Sequence, residues 1–205
     1  MKVIKPSYKI EDEIDGLAIL KRIERAGRVC YKSEDRITDD SAIKFVQRIL
    51  ASKHESVIEH EKITVTIICD RAVSLEIVRH RIGSYSQEST RYCNYSKDKF
   101  GKEITVIKPC FWADSEAMFE VWKRAMLQAE QAYFNLLDNG ASPQEARSVL
   151  PNSLKTEIVV TFNLREWRHF FKLRTDKAAH PQMREITLKM LKEFQERIPI
   201  IFDDI

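Results

Sequence analysis

Residues 79–92 concentrate groups that bind and polarise ligands: Arg79, His80, Arg81 and Arg91, the hydroxyls of Ser84, Ser86, Ser89 and Thr90, then Tyr85, Tyr92, Gln87 and Glu88. Such a density of donors suits an anionic ligand with a hydrogen-bonding ring, such as a nucleotide. A solvated charged turn is the plain alternative, but an apolar helical pattern precedes the stretch and Tyr92 follows it. Three other places hold polar residues that packing does not explain: 54–60 with His54 and His60, Arg147, and 163–174 with Asn163, Arg165, His169 and Arg174. Each falls at an element end, where functional groups are usually mounted. Arginine forks bind phosphate oxygens and imide carbonyls bidentately. So many of them point to more than one anionic ligand, or to one with several phosphates. Ser89 as a nucleophile needs an adjacent base. The nearest histidine in sequence is His80, and nothing in the spacing brings it within reach, so a ligand-binding hydroxyl is favoured. No GxGxxG or GxxxxGK[ST] motif supports a dinucleotide fold or a P-loop.

The bulk properties narrow the class. A chain of 205 residues is long enough for a real core. It is 43% hydrophobic and 32% charged, ordinary for a globular protein. A net charge of +3 gives no case for non-specific nucleic-acid binding. Cys30, Cys69, Cys93 and Cys110 show no CxxC or zinc-ligand spacing, so no metal site is expected. No apolar run approaches the ~18 residues that span a bilayer, and no N-terminal apolar segment reads as a leader. The expectation is a cytoplasmic protein with reduced thiols and no membrane or nucleic-acid partner.

The elements that position these residues follow from periodicity. Alternation of Ile63, Val65 and Ile67 against Thr64 and Thr66 predicts a strand over 62–69, and Ile158, Val160 and Phe162 predict another over 156–162. A short edge strand is expected near Val3 and Ile4, and another near Ile104 and Val106. Helical spacing predicts helices over about 17–30, with Leu20, Ile23, Gly27 and Cys30 on one face, and over 41–53, with Ile43, Val46, Ile49 and Leu50 inward. A helix capped by Asp70 is expected over 71–82, packing Ala72, Leu75, Val78 and Ile82. Residues 84–92 show no period and read as a structured loop. A long helix is expected over about 115–137, capped by Asp114, with Met118, Val121, Trp122, Ala125, Ala129, Ala132, Tyr133 and Leu136 inward. Ser142, Pro143 and Glu145 form a capping box. Asn163 caps a helix over 164–173, with Arg165, His169 and Lys172 as a polar stripe opposite Trp167, Phe170, Phe171 and Leu173. The last helix covers 181–197, with Met183, Ile186, Met190 and Phe194 inward. The expected class is α/β of the α+β type: a single domain over 1–205, with a mainly antiparallel central sheet flanked by helices.

The motif Arg79-His80-Arg81, then Ser89, Arg91 and Tyr92, resembles the signature of flavin-dependent thymidylate synthases. His54-Glu55-Ser56 with Glu59-His60, Glu145-Ala146-Arg147 through Leu150-Pro151, and Asn163-x-Arg165 through Leu173-Arg174-x-Asp176 with His180 and Gln182 resemble further blocks of that family, in order. The resemblance implies methylation of dUMP to dTMP. Methylenetetrahydrofolate would give the carbon, FAD the hydride, and NADPH would reduce the flavin. It also implies a homotetramer with shared active sites and no covalent enzyme nucleophile. Carried over by residue, His54, Ser56, Arg79, His80, Arg81, Gln87, Asn163, Arg165 and His169 would hold FAD, with His54 also bordering folate. Glu76, Arg79, Gln87, Glu88, Ser89, Arg91, Arg147 and Arg174 would hold dUMP. Arg174 and Ser89 would stand at the chemistry, Arg174 polarising a uracil carbonyl. Two positions depart from the family. Ser86-Gln87 replaces an Asn-Glu pair common there, so position 87 keeps hydrogen bonding without the charge. His169 replaces an Asn found in some members and adds a titratable group. Two other classes use the same arginines: a nucleic-acid-binding module, and a nucleotide or flavin sensor without turnover.

Overall fold

The computed structural model describes residues 1–112 and 115–205. The chain runs β1 (Lys2–Ile4), β2 (Ser7–Ile10), α1 (Gly16–Val29), α2 (Ser41–Ala51), β3 (Lys62–Asp70), α3 (Arg71–Ile77), β4 (Ser84–Gln87), β5 (Thr105–Ile107), α4 (Glu116–Asp138), α5 (Pro143–Ala146), β6 (Lys155–Asn163), α6 (Leu164–Arg174) and α7 (Pro181–Arg197). A short 3-10 turn, Glu55–His60, precedes β3.

Four strands pair in the order β2-β3-β6-β4. The β3–β6 pairing is antiparallel. Leu164 N donates to Glu61 O at 2.9 Å, the Thr64 and Thr161 hydroxyls meet at 3.0 Å, and Arg71 N donates to Leu154 O at 3.1 Å, so partners descend on one strand as they rise on the other. Period-2 patterning drives this, since Ile63, Val65, Ile67 and Cys69 are buried on β3 and Ile158, Val160 and Phe162 on β6. The expected class, helices about a mainly antiparallel sheet, is the class adopted. A separate parallel pair, β1 with β5, sets Val3 beside Val106.

By contact density the chain forms two compact units, one of residues 1–7, 67–79 and 86–159, the other of 8–66, 80–85 and 160–205. The first has its own core of Tyr95, Ile104, Val106, Trp122, Met126, Tyr133, Ala146 and Leu154. The second centres on Trp167, whose ring lies 4.7 Å from Phe162, 5.5 Å from Phe170 and 5.2 Å from Phe194. The Trp167 indole N–H donates to Ile63 O at 3.0 Å, so the bulkiest core residue leaves no polar atom unsatisfied.

Several expectations need correction. α3 stops at Ile77 rather than near 82. Its start is fixed where expected, with Asp70 Oδ1 accepting from Val73 N at 2.7 Å. The buried face, however, is Val73, Ser74 and Ile77, while Leu75, Val78 and Ile82 are exposed. The Arg79-His80-Arg81 motif therefore follows the helix instead of ending it. Residues 84–87, read as loop, form β4. Four polar residues carry no apolar alternation, and the strand is specified by its partner, as Glu88 N donates to Glu157 O at 2.9 Å. On α4, Asp114 lies outside the described residues, and Ser115 Oγ accepts from Met118 N at 3.4 Å. Met118 and Val121 face outward, whereas Trp122, Met126 and Tyr133 face the core. Ile43, Leu173 and Cys30 are likewise exposed, with Ala42 and Phe45 taking the inner positions of α2.

Gly83 shows why the turn into β4 is tight. A Cβ there would sit 2.3 Å from the Phe162 ring. Gly83→Ala is expected to destabilise the protein by about 1–3 kcal/mol as that ring is forced aside, readable as a lower urea midpoint.

Candidate active site

α6 carries one group of the expected site residues, in the second unit. Asn163 caps it through Oδ1, accepting from Glu166 N at 2.8 Å. Trp167, Phe170 and Phe171 turn into the core. The opposite face carries Arg165, His169 and Lys172 into a cleft of about 530 Å3, which Asn163, Ile82, Glu55 and Glu59 also line. Arg165 Nη1 meets Glu59 Oε1 at 2.6 Å. Such an exposed pair contributes at most about 1 kcal/mol, so a ligand anion can displace it.

Beside the cleft lies a buried polar chain. His80 is 4% exposed. Its Nδ1 lies 2.8 Å from Glu166 Oε1, and Arg174 Nε lies 3.1 Å from its Nε2. A guanidinium only donates. Nε2 must therefore carry the lone pair and Nδ1 the proton, which it donates to Glu166. Burial, chiefly, holds the His80 pKa below the ordinary 6.5; the Glu166 hydrogen bond opposes this, and the charge of Arg174 adds to it. His80 is thus a neutral imidazole of one tautomer.

A stability consequence follows. Where the folded pKa lies below the unfolded one, the unfolded chain binds more protons, so stability rises with pH in the interval between them. The contribution is complete above about 6.5 and is lost as pH falls towards the lowered folded value. Urea midpoints measured below pH 6.5 are expected to drop more in the native protein than in His80→Gln, which has nothing to titrate there.

His80, Glu166 and His169 bring three donor atoms within 4.8 Å of one another. Their chemistry does not fit a metal ion. The Nε2 lone pair of His80 is spent on Arg174, whose charge repels a cation at that spot.

The first unit carries a second group of them. Arg91 Nε donates to Gln144 Oε1 at 3.1 Å, and Arg147 Nη1 reaches Thr90 Oγ1 at 3.5 Å. These two contacts tie the segment after β4 to α5 and to the residue that closes it. The capping box holds α5 in place, Ser142 N and Oγ both donating to Glu145 Oε2. Ser89 Oγ accepts from Arg91 N at 3.3 Å. None of the five histidines of the chain belongs to this unit, so Ser89 has no imidazole base within it. Gln87 Nε2 donates to Ser74 Oγ at 2.9 Å and Thr156 Oγ1 at 3.1 Å.

Of the remaining expected residues, Arg79 and Arg81 are exposed, while Glu76 and Arg174 are half-buried. Glu88 commits its carboxylate to the Tyr95 hydroxyl at 3.0 Å and Lys155 Nζ at 2.8 Å. His54 and Ser56 line a different cleft of the second unit, of about 810 Å3, with Arg28, Arg36, Arg48 and Phe45. The residues expected to bind FAD thus fall mainly in one unit, Arg79 and Gln87 excepted, and those expected to bind dUMP mainly in the other, Arg174 excepted. Arg168, beside the motif residues in sequence, is structural: it pairs with Asp204 at 2.6 Å and Glu55 at 3.2 Å. Glu166 had no expected role. The available signal was a carboxylate on the apolar side of α6, next to Trp167.

The fold matches that of UMP/dUMP methylase PolB from Streptomyces cacaoi, solved with 5-Br dUMP, with a TM-score of 0.80 at 23% identity over 99% of this chain and 96% of that one. A family model described as thymidylate synthase complementing protein matches residues 17–200. The flavin-dependent thymidylate synthase of Pyrococcus furiosus is 38% identical over 172 residues, 83% of this chain and 70% of that protein. That of Geobacter sulfurreducens is 36% identical over 186 residues, covering 87% and 78%. The chain belongs to the flavin-dependent thymidylate synthase family.

Proposed function

We propose that this chain methylates C5 of dUMP to give dTMP, with methylenetetrahydrofolate as carbon donor, FAD as bound cofactor and NADPH as reductant. It does so as one catalytic domain of a cytoplasmic homotetramer with shared sites. The observation that carries this is the pair of contacts Arg91–Gln144 and Arg147–Thr90, which join the segment bearing Ser89 and Arg91 to the one bearing Arg147: two guanidiniums and a hydroxyl on joined segments, the donor types a nucleotide monophosphate needs.

Arg91 and Arg147 take the phosphate, and Ser89 donates a hydrogen bond. Arg174 polarises a uracil carbonyl and stabilises the negative charge that grows on the ring. No enzyme nucleophile is required, in keeping with Ser89 lacking an imidazole in its unit. The α6 cleft fits an acceptor-rich flavin: Asn163 has spent Oδ1 on the cap and keeps its amide N–H groups, while Arg165, His169 and Lys172 add donors and charge. When bound, the flavin supplies the electrons that reduce the transferred methylene to methyl.

The test is release of tritium from [5-3H]dUMP by the yellow holoprotein, expected only when folate donor and NADPH are both present. A colourless protein that does not bind added FAD would overturn the proposal. Arg91→Ala and Arg147→Ala are each expected to raise the KM for dUMP by about 10- to 100-fold, the loss of charge-assisted bonds of ~1.5–3 kcal/mol. kcat should change far less, as saturation kinetics will show.

A further inference from the structure

We infer that Glu166 and His80 form a positioning relay that aims Arg174, Glu166 fixing the His80 tautomer and His80 gripping Arg174 by its Nε. The inference rests on the proposed role of Arg174 at the nucleotide, and extends it to Glu166 and to His80, whose part in it runs through Arg174 rather than through a ligand contact.

The chain of contacts runs Glu166 Oε1, His80 Nδ1, His80 Nε2, Arg174 Nε, at 2.8 and 3.1 Å. Each end permits one chemistry only. A carboxylate accepts and a guanidinium donates, so the imidazole between them must be neutral and protonated on Nδ1. Carboxylate and guanidinium balance each other across it, which makes a largely buried set of charges tolerable. Gripping a guanidinium at Nε fixes its plane, so its terminal nitrogens have one orientation before substrate arrives. His80 is itself immobilised. Its ring packs 5.0 Å from that of Phe170 and 6.1 Å from that of Phe162, and its carbonyl accepts from the Tyr85 hydroxyl. The titratable or charged groups facing the ring are Glu166, Arg174 and His169, the last at 5.5 Å between rings.

Two substitutions separate this role from a flavin contact. Glutamine at 80 keeps a donor for Glu166 and an acceptor for Arg174; leucine keeps the volume and neither bond. His80→Leu should lose about a hundredfold in kcat per bound flavin, the scale of a misplaced charge-stabilising donor, with the KM for dUMP little changed. His80→Gln should recover most of that loss. Nitrogen NMR of 15N-histidine holoprotein at pH 7 should find His80 Nδ1 protonated and Nε2 bare. A protonated Nε2, full kcat in His80→Leu, or loss of flavin in both variants would overturn the relay. If His80→Leu does not fold, the NMR assignment and His80→Gln decide. Wild-type protein without dTMP formation would instead overturn the proposed function, and the NMR result would stand apart from it.

Discussion

Arg174→Ala is expected to lower kcat for dTMP formation by about a hundred- to a thousandfold, the usual cost of removing one donor aimed at developing charge. Flavin content, read from the visible absorbance per chain, should stay near the wild-type level, because Arg174 is not among the residues lining the α6 cleft. Arg174 closes α6, and its carbonyl accepts from Thr187 Oγ1 at 2.9 Å, a main-chain bond that alanine retains. The helix end therefore keeps its main-chain anchor, and what is lost is the guanidinium. Arg174→Lys should not restore activity, since an ammonium offers His80 no Nε and the substrate no fork. Unchanged turnover in Arg174→Ala would refute the polarising role.

Trp167→Ala is expected to cost about 3–5 kcal/mol, the range for truncating a large buried aromatic. That is a large part of the ~5–15 kcal/mol by which domains are usually stable. The residue is fully buried against Phe162, Phe170, Phe171 and Phe194, and the cavity left behind would be walled by rings that cannot all shift to fill it. α6 bears Trp167 on one face and Arg165 and His169 on the other, so loosening its seat should also weaken flavin binding. Urea denaturation of the apoprotein and flavin titration of the folded fraction measure the two effects separately. A midpoint close to that of the native protein would show that Trp167 does not anchor α6.

The sequence made legible those elements whose own residues carry the pattern. β3 and β6 alternate cleanly, Asp70 and Asn163 cap where their position predicts, and Ser142 with Glu145 forms its box. The extents of α3 and β4 are not legible in their own residues because they are set elsewhere. Ile82 sits on helical spacing yet lies outside the helix, and the polar residues of β4 are held by pairing rather than burial. The candidate site divides in the same way. The residue types announced themselves by density, but the contacts that hold them did not. Arg91 meets Gln144 and His80 meets Glu166 across 53 and 86 positions of sequence, a separation no local pattern encodes. Glu166 carries no sequence signal of its role, because the His80 ring that explains a carboxylate on that helix face is far away in sequence. Glu88 reads from the sequence as a substrate-facing carboxylate, and its partners Tyr95 and Lys155 become visible only once the chain is folded.

The central claim, that NADPH through a bound flavin supplies the reducing electrons, fixes the fate of the folate. Methylene transfer with reduction to methyl needs two electrons. If they come from NADPH, the folate leaves at its original oxidation level. The direct measurement is therefore the folate product of a complete reaction with dUMP, methylenetetrahydrofolate, FAD and NADPH. Tetrahydrofolate formed in step with dTMP and with NADPH consumed is the predicted result. Dihydrofolate formed in step with dTMP, with NADPH untouched, would contradict it.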